Sequence, residues 1–80
     1  MNDIYDARYK TAMHLLKEKR LSAGLTQKEL ADKLGCAQSY VSKFEAGQVR
    51  LDIIEMRTIL GNLGISLVQY VEELEKAIGK

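Results

Sequence analysis

Apolar residues recur at helical rather than strand spacing along the whole chain. Tyr5, Tyr9, Ala12 and Leu16 fall at i, i+4, i+7 and i+11, a single amphipathic stripe that Met13 widens. This spacing predicts a first helix from near Asp3 through Lys17-Glu18-Lys19-Arg20, stopping near Gly24, because glycine takes the left-handed turn at a helix end without steric penalty. Thr26 with Glu29 three places on forms a capping box, in which each side chain satisfies a free amide at the helix start. It opens a short second helix from about Thr26 to Leu34, with Leu30, Ala31 and Leu34 on the inner face. A third helix is predicted from about Gln38 to Ala46, with Val41 and Phe44 inward and Gly47 stopping it. Asp52 and Glu55 make a second capping box for a fourth helix to about Asn62, whose apolar positions are Ile53, Met56, Ile59, Leu60 and Leu63. After Gly64, Ser66 and Gln69 make a third, opening a fifth helix to about Ile78 with Leu67, Val68, Val71, Leu74 and Ile78 apolar. The expected fold class is all-α, five helices with short connections, in a single domain over residues 1–80.

Composition agrees and narrows the chemistry. Among 80 residues there is no proline, and 46% are apolar, enough for one small core. One cysteine and one histidine exclude an internal disulfide framework and a structural zinc site built from several thiolates. No stretch approaches the ~18 apolar residues of a membrane span, and the acids of MNDIYDARYK do not suit a signal peptide. A reducing, cytoplasmic setting is expected. There is no Gly-rich phosphate loop, no Cys/His pair beside a carboxylate and no metal-ligand spacing, so the chain is not expected to be an enzyme or to hold a cofactor, metal or small-molecule ligand. Cys36 and His14 read as ordinary structural residues, and the acids Glu72, Glu73 and Glu75 as a solvated helix face.

Taken whole, the net charge of +1 argues against a strongly basic nucleic-acid binder. Its distribution reverses that. Residues 8–50 carry nine bases and four acids, net +5, while residues 1–7 and 51–80 are each net −2. A basic middle between acidic ends provides one face for a polyanion.

The basic middle contains QKELADKLGCAQSYVSKFEA, residues 27–46. Two short helices joined at Gly35 form a helix-turn-helix. Ala31 must be small where the third helix crosses the second, and Gly35 supplies the positive φ of the turn. Leu30, Leu34, Val41 and Phe44 lock the two helices together. The outward positions of the third helix, Gln38, Ser39, Ser42 and Lys43, are residue types able to hydrogen-bond base edges.

These residues resemble the Xre/Cro/C1 helix-turn-helix family of transcription regulators, the domain type of the λ and 434 repressors. The resemblance rests on Arg20 before Leu21-x-x-Gly24-Leu25-Thr26-Gln27, then Glu29-Leu30-Ala31, Leu34-Gly35, Val41-Ser42, Phe44-Glu45, Gly47 and Leu60-x-x-Leu63-Gly64. It covers about residues 13–70. It implies a five-helix λ repressor-like fold with the third helix in the major groove of double-stranded DNA. Gln38, Ser39, Ser42 and Lys43 then read bases, with Ala37 able to touch a thymine methyl. Thr26, Gln27, Tyr40, Gln48 and Arg50 fall where the DNA backbone is met, and Gln27 also braces the recognition helix. Arg20 and Glu45 match a pair that is ion-paired in the family. Ala37 departs from the Ser or Thr common there, forfeiting roughly 1 kcal/mol of capping. Ala46 lacks a phosphate-contacting side chain, Tyr40 is bulky for its position, and the first and fifth helices run longer than in the minimal domain.

The function expected from this resemblance is sequence-specific transcriptional regulation, as a repressor bound to a palindromic operator as a homodimer. One such domain makes few base contacts, so a dimer is needed for useful specificity. With no effector domain in the sequence, dimer contacts are expected from the terminal helices: Val68, Val71, Leu74 and Ile78 of residues 66–78, with Tyr5 and Tyr9. The alternative is an antitoxin or other protein-interaction module whose acidic last helix covers a partner protein, with DNA binding as autoregulation.

Overall fold

A computed structural model describes the backbone of residues 3–79 and the side chains of residues 7–79. Five α-helices make up its regular structure: α1 Asp3–Ser22, α2 Gln27–Leu34, α3 Gln38–Glu45, α4 Ile53–Gly61 and α5 Leu67–Ile78. The five helices fall in the order expected from the sequence.

Local signals set the helix starts. Thr26 Oγ1 accepts from Glu29 N–H at 3.0 Å while Glu29 returns a carboxylate to Thr26 N–H at 2.8 Å. Asp52 and Glu55 repeat the exchange at 2.7 and 2.8 Å. The third box is half made. Ser66 Oγ accepts from Gln69 N–H at 3.0 Å, but the return bond from Ser66 N–H to the Gln69 side chain is not formed. At the other helix ends, α3 and α4 stop one residue before the positions read from sequence, with Ala46 and Asn62 as caps.

The core is Met13 and Leu16 of α1, Leu30 and Ala31 of α2, Val41 and Phe44 of α3, Ile59 and Leu60 of α4, Leu63, and Tyr70 of α5. Every helix therefore delivers at least one fully buried side chain, and α2 and α3 pack on one another through the helix-turn-helix residues. Tyr70 carries no signal in the apolar pattern of α5, yet it is buried and its hydroxyl donates to Ala12 C=O of α1. Burial pushes that phenol far above its ordinary pKa, so it stays protonated and remains a donor. Ile53, expected on the apolar face of α4, is instead 62% exposed. It lies one turn before Met56, at the open rim of a groove floored by Met56, Leu67 and Leu74. Alongside the Tyr70 bond, an ion pair between Lys19 and Glu73 also ties α5 to α1. That hydrogen bond to Lys19 holds the Glu73 carboxyl below its usual range.

Candidate nucleic-acid interface

The turn between α2 and α3 is built as its sequence requires. Gly35 sits at φ +72°, and the following Cys36 N–H donates back to Ala31 C=O at 3.0 Å. A Cβ at Gly35 would meet nothing nearby, so the conformation rather than crowding is what calls for glycine. Ala31 is fully buried between the two helices.

With Val41 and Phe44 at zero exposure, the rotation of α3 about its axis is set, and its opposite face points outward. Ala37, Gln38, Ser39, Ser42 and Lys43 are all exposed there. Helix α3 also starts without a side-chain cap, whereas Thr26, Asp52 and Ser66 cap α2, α4 and α5. Its first-turn amides have no side-chain acceptor, and the positive end of its dipole adds to that surface.

Tyr40 does not stand out from this face. It is half-buried, stacked edge-on against Phe44 with ring centroids 5.4 Å apart. Its hydroxyl lies 3.5 Å from a Glu55 carboxylate oxygen, and desolvation followed by that carboxylate raises its pKa. The bulk that looked awkward in a groove is accommodated by the packing between α3 and the start of α4.

Three donors and one carboxylate orient α3 against the rest of the fold. Arg20 Nε and Nη2 reach Glu45 Oε2 and Oε1 at 2.7 and 3.0 Å, and Gln27 Nε2 reaches the same Oε1 at 3.0 Å. The third Arg20 nitrogen, Nη1, donates to Leu25 C=O at 2.7 Å. The Arg20 and Glu45 side chains are only 6% and 3% exposed. Gln27 thus joins the first turn of α2 to the last turn of α3, while Arg20 binds both to α1. The side-chain hydroxyl of Thr26 is taken up by its cap, and Gln48 is exposed on the loop after α3.

The chain matches the helix-turn-helix family model HTH_3 over residues 16–70, well over half its length and including all of α2, α3 and α4. The chain belongs to the Xre-type helix-turn-helix family. Comparison with curated protein sequences finds no significant match. Among solved structures it is similar to an XRE-family like protein from Pseudomonas syringae pv. tomato str. DC3000, at 43% identity and a TM-score of 0.84, covering 92% of this chain and 90% of that one. The chain is accordingly an Xre-type DNA-binding transcription regulator.

The proposed dimer residues divide. Val68 is 69% and Val71 41% exposed, whereas Leu74 and Ile78 are half-buried and Leu74 packs on the core. Tyr5 lies outside the residues whose side chains are described. Tyr9 is half-buried, and its hydroxyl is engaged within the chain: it donates to Val49 C=O and accepts from Leu51 N–H, both at 2.9 Å. Arg50 stacks on its ring, the guanidinium carbon 4.2 Å from the centroid. Spacing had no means of finding this bond, which joins positions 40 residues apart. No helix of the described residues is long and apolar enough to cross a membrane, and no group of three or more potential metal ligands occurs among them.

Proposed function

We propose that this regulator represses transcription in the cytoplasm as a homodimer on a palindromic operator. The observation that carries the reading is the division of α3, with Val41 and Phe44 wholly buried and Ala37, Gln38, Ser39, Ser42 and Lys43 wholly available. In the major groove the Gln38 amide suits the paired donor and acceptor of adenine, and Lys43 the acceptors of guanine. Ser39 and Ser42 accept or donate, and the Ala37 methyl suits a thymine. The uncapped amides of α3, with Thr26, Gln27 and Gln48 beside it and Arg50 beyond, provide for backbone phosphates. The exposed Val71 lines the apolar groove between α1, α4 and α5, Val68 lines an adjoining depression beside Arg57 and Gly61, and a second copy laid against both would bury them. Two recognition helices then sit roughly 34 Å apart, one turn of DNA.

The test is titration of the protein against the DNA upstream of its own gene at two salt concentrations. A steep fall in affinity with salt, with preference over scrambled duplex, is the expected result. Gln38→Ala and Lys43→Ala should each relax discrimination at one base position by roughly 1–3 kcal/mol. Flat, sequence-blind binding by the unaltered protein would sink the reading.

A further inference from the structure

Gly47, at φ +76°, turns the chain out of the recognition helix, and Gln48 N–H closes the turn onto Lys43 C=O at 2.9 Å. From there to the cap of α4 at Asp52 the chain has no regular structure of its own. One side chain on α1 replaces it. The Tyr9 hydroxyl accepts from Leu51 N–H and donates to Val49 C=O, the two residues on either side of Arg50. The Tyr9 ring, packed against the core, lies under the Arg50 guanidinium at 4.2 Å in cation–π geometry. Tyr9 therefore engages both the main chain on either side of a cation and one face of that cation's head group.

A loop arginine that meets a phosphate ordinarily gives up main-chain and rotamer freedom when it does so, and the affinity falls accordingly. An arginine already held avoids that loss. We propose that Tyr9 is a positioning residue for DNA binding, holding Arg50 at the end of the recognition helix for contact with a backbone phosphate. The proposal rests on the operator reading above, in which Arg50 meets the DNA backbone. Tyr9 itself acts through Arg50, its hydroxyl being engaged within the chain as both donor and acceptor. This gives the N-terminal part of α1, beyond the family match that begins at residue 16, a role in the interface with DNA.

The test is a double-variant cycle on a labelled duplex selected from a randomised pool by the unaltered protein. Affinity is measured by fluorescence anisotropy across a salt series for the wild type, Tyr9→Phe, Arg50→Ala and the pair together, with a melting curve for each. Arg50→Ala should lower the slope of log affinity against log salt by about one, the signature of one lost phosphate contact. Tyr9→Phe keeps the ring but releases the loop, and should weaken binding on the order of three- to tenfold in the wild type and not at all in the Arg50→Ala background. Tyr9→Leu removes the ring as well and should weaken binding further, again only while Arg50 is present; if it does not fold, the Tyr9→Phe cycle decides alone. Equal weakening in both backgrounds overturns the proposal, because Tyr9 would then act on stability or on DNA directly. So does an Arg50→Ala variant with wild-type affinity and slope. If Gln38→Ala still weakens binding in that case, the operator reading stands and only the positioning role falls. If no duplex is selected, the operator reading fails first.

Discussion

Glu45 is the residue on which the orientation of the recognition helix depends. Its carboxylate receives three hydrogen bonds, two from Arg20 and one from Gln27, in surroundings that leave it almost no water. Removing a single partner of such a pair strands the other charge, whereas replacing both with apolar groups can be nearly neutral. Glu45→Ala should therefore lower stability by about 3–5 kcal/mol, and Arg20→Met with Glu45→Leu by much less. Chemical denaturation of the two variants checks this, and equal losses would mean that the pair is worth its contacts rather than its charge balance. The ion pair was legible in the sequence through the family pattern. The Gln27 bond to the same carboxylate was legible only as a general bracing role, since nothing in the spacing of positions 27 and 45 says which atom the amide meets. Tyr40 shows the limit from the other side. Its place on α3 suggested the DNA backbone, and spacing alone did not show that its ring also packs edge-on against Phe44 with its hydroxyl 3.5 Å from Glu55 of α4.

At the scale of helices, the chain's own chemistry is most visible at the starts. Capping boxes read from sequence at Thr26 and Asp52 are fully formed, because their partners lie three residues apart and need no tertiary help. Helix α3 begins differently, at an Ala37 that already has the extended backbone of a cap, φ −76° and ψ 147°, and no side chain to use it. Ala37→Ser should raise stability by about 1 kcal/mol. Ala37→Asp should stabilise the fold as well while weakening DNA binding, since its charge would face phosphate; melting and anisotropy on the same samples separate the two effects. A gain in affinity for Ala37→Asp would contradict the placement of α3. The last helix depends on longer connections. Glu73 is held below its ordinary pKa by Lys19, so its stabilising effect is complete above the usual glutamate range and disappears as pH falls through the lowered value. Glu73→Gln should accordingly melt below the wild type near neutral pH, the difference shrinking as acid takes the pH through the lowered value. A difference that persists in acid would assign the effect to packing instead.

For the whole molecule, the proposed homodimer can be tested at the exposed valines of α5. Val68 is exposed and stands clear of the core, while Leu74 packs on it. Charge at Leu74 would disturb fold and interface together, so Val68→Glu is the cleaner variant. It should melt like the wild type, sediment as a monomer at concentrations where the wild type is a dimer, and bind operator DNA less tightly by well over tenfold, roughly the loss of one half-site. Unchanged mass and affinity would count against a dimer formed through this face. The division of charge bears on the same scale: a +1 total conceals a +5 segment, and that segment carries the helix-turn-helix.

Helix starts, the left-handed turn at Gly35 and the buried and exposed faces of α3 followed from residues three to eleven positions apart, and the family from such local signatures set in register along the chain. Such features are local, since capping, glycine conformation and amphipathic periodicity act within a few turns of chain. The sequence did not determine which side chains would close the gaps between helices. Tyr70 reaching Ala12, Lys19 pairing with Glu73, and Tyr9 gripping the loop around Arg50 join positions 58, 54 and 40 residues apart. A polar side chain is assigned to one of several equivalent carbonyls or charges only when packing brings that group within hydrogen-bonding reach and excludes the water that would otherwise serve.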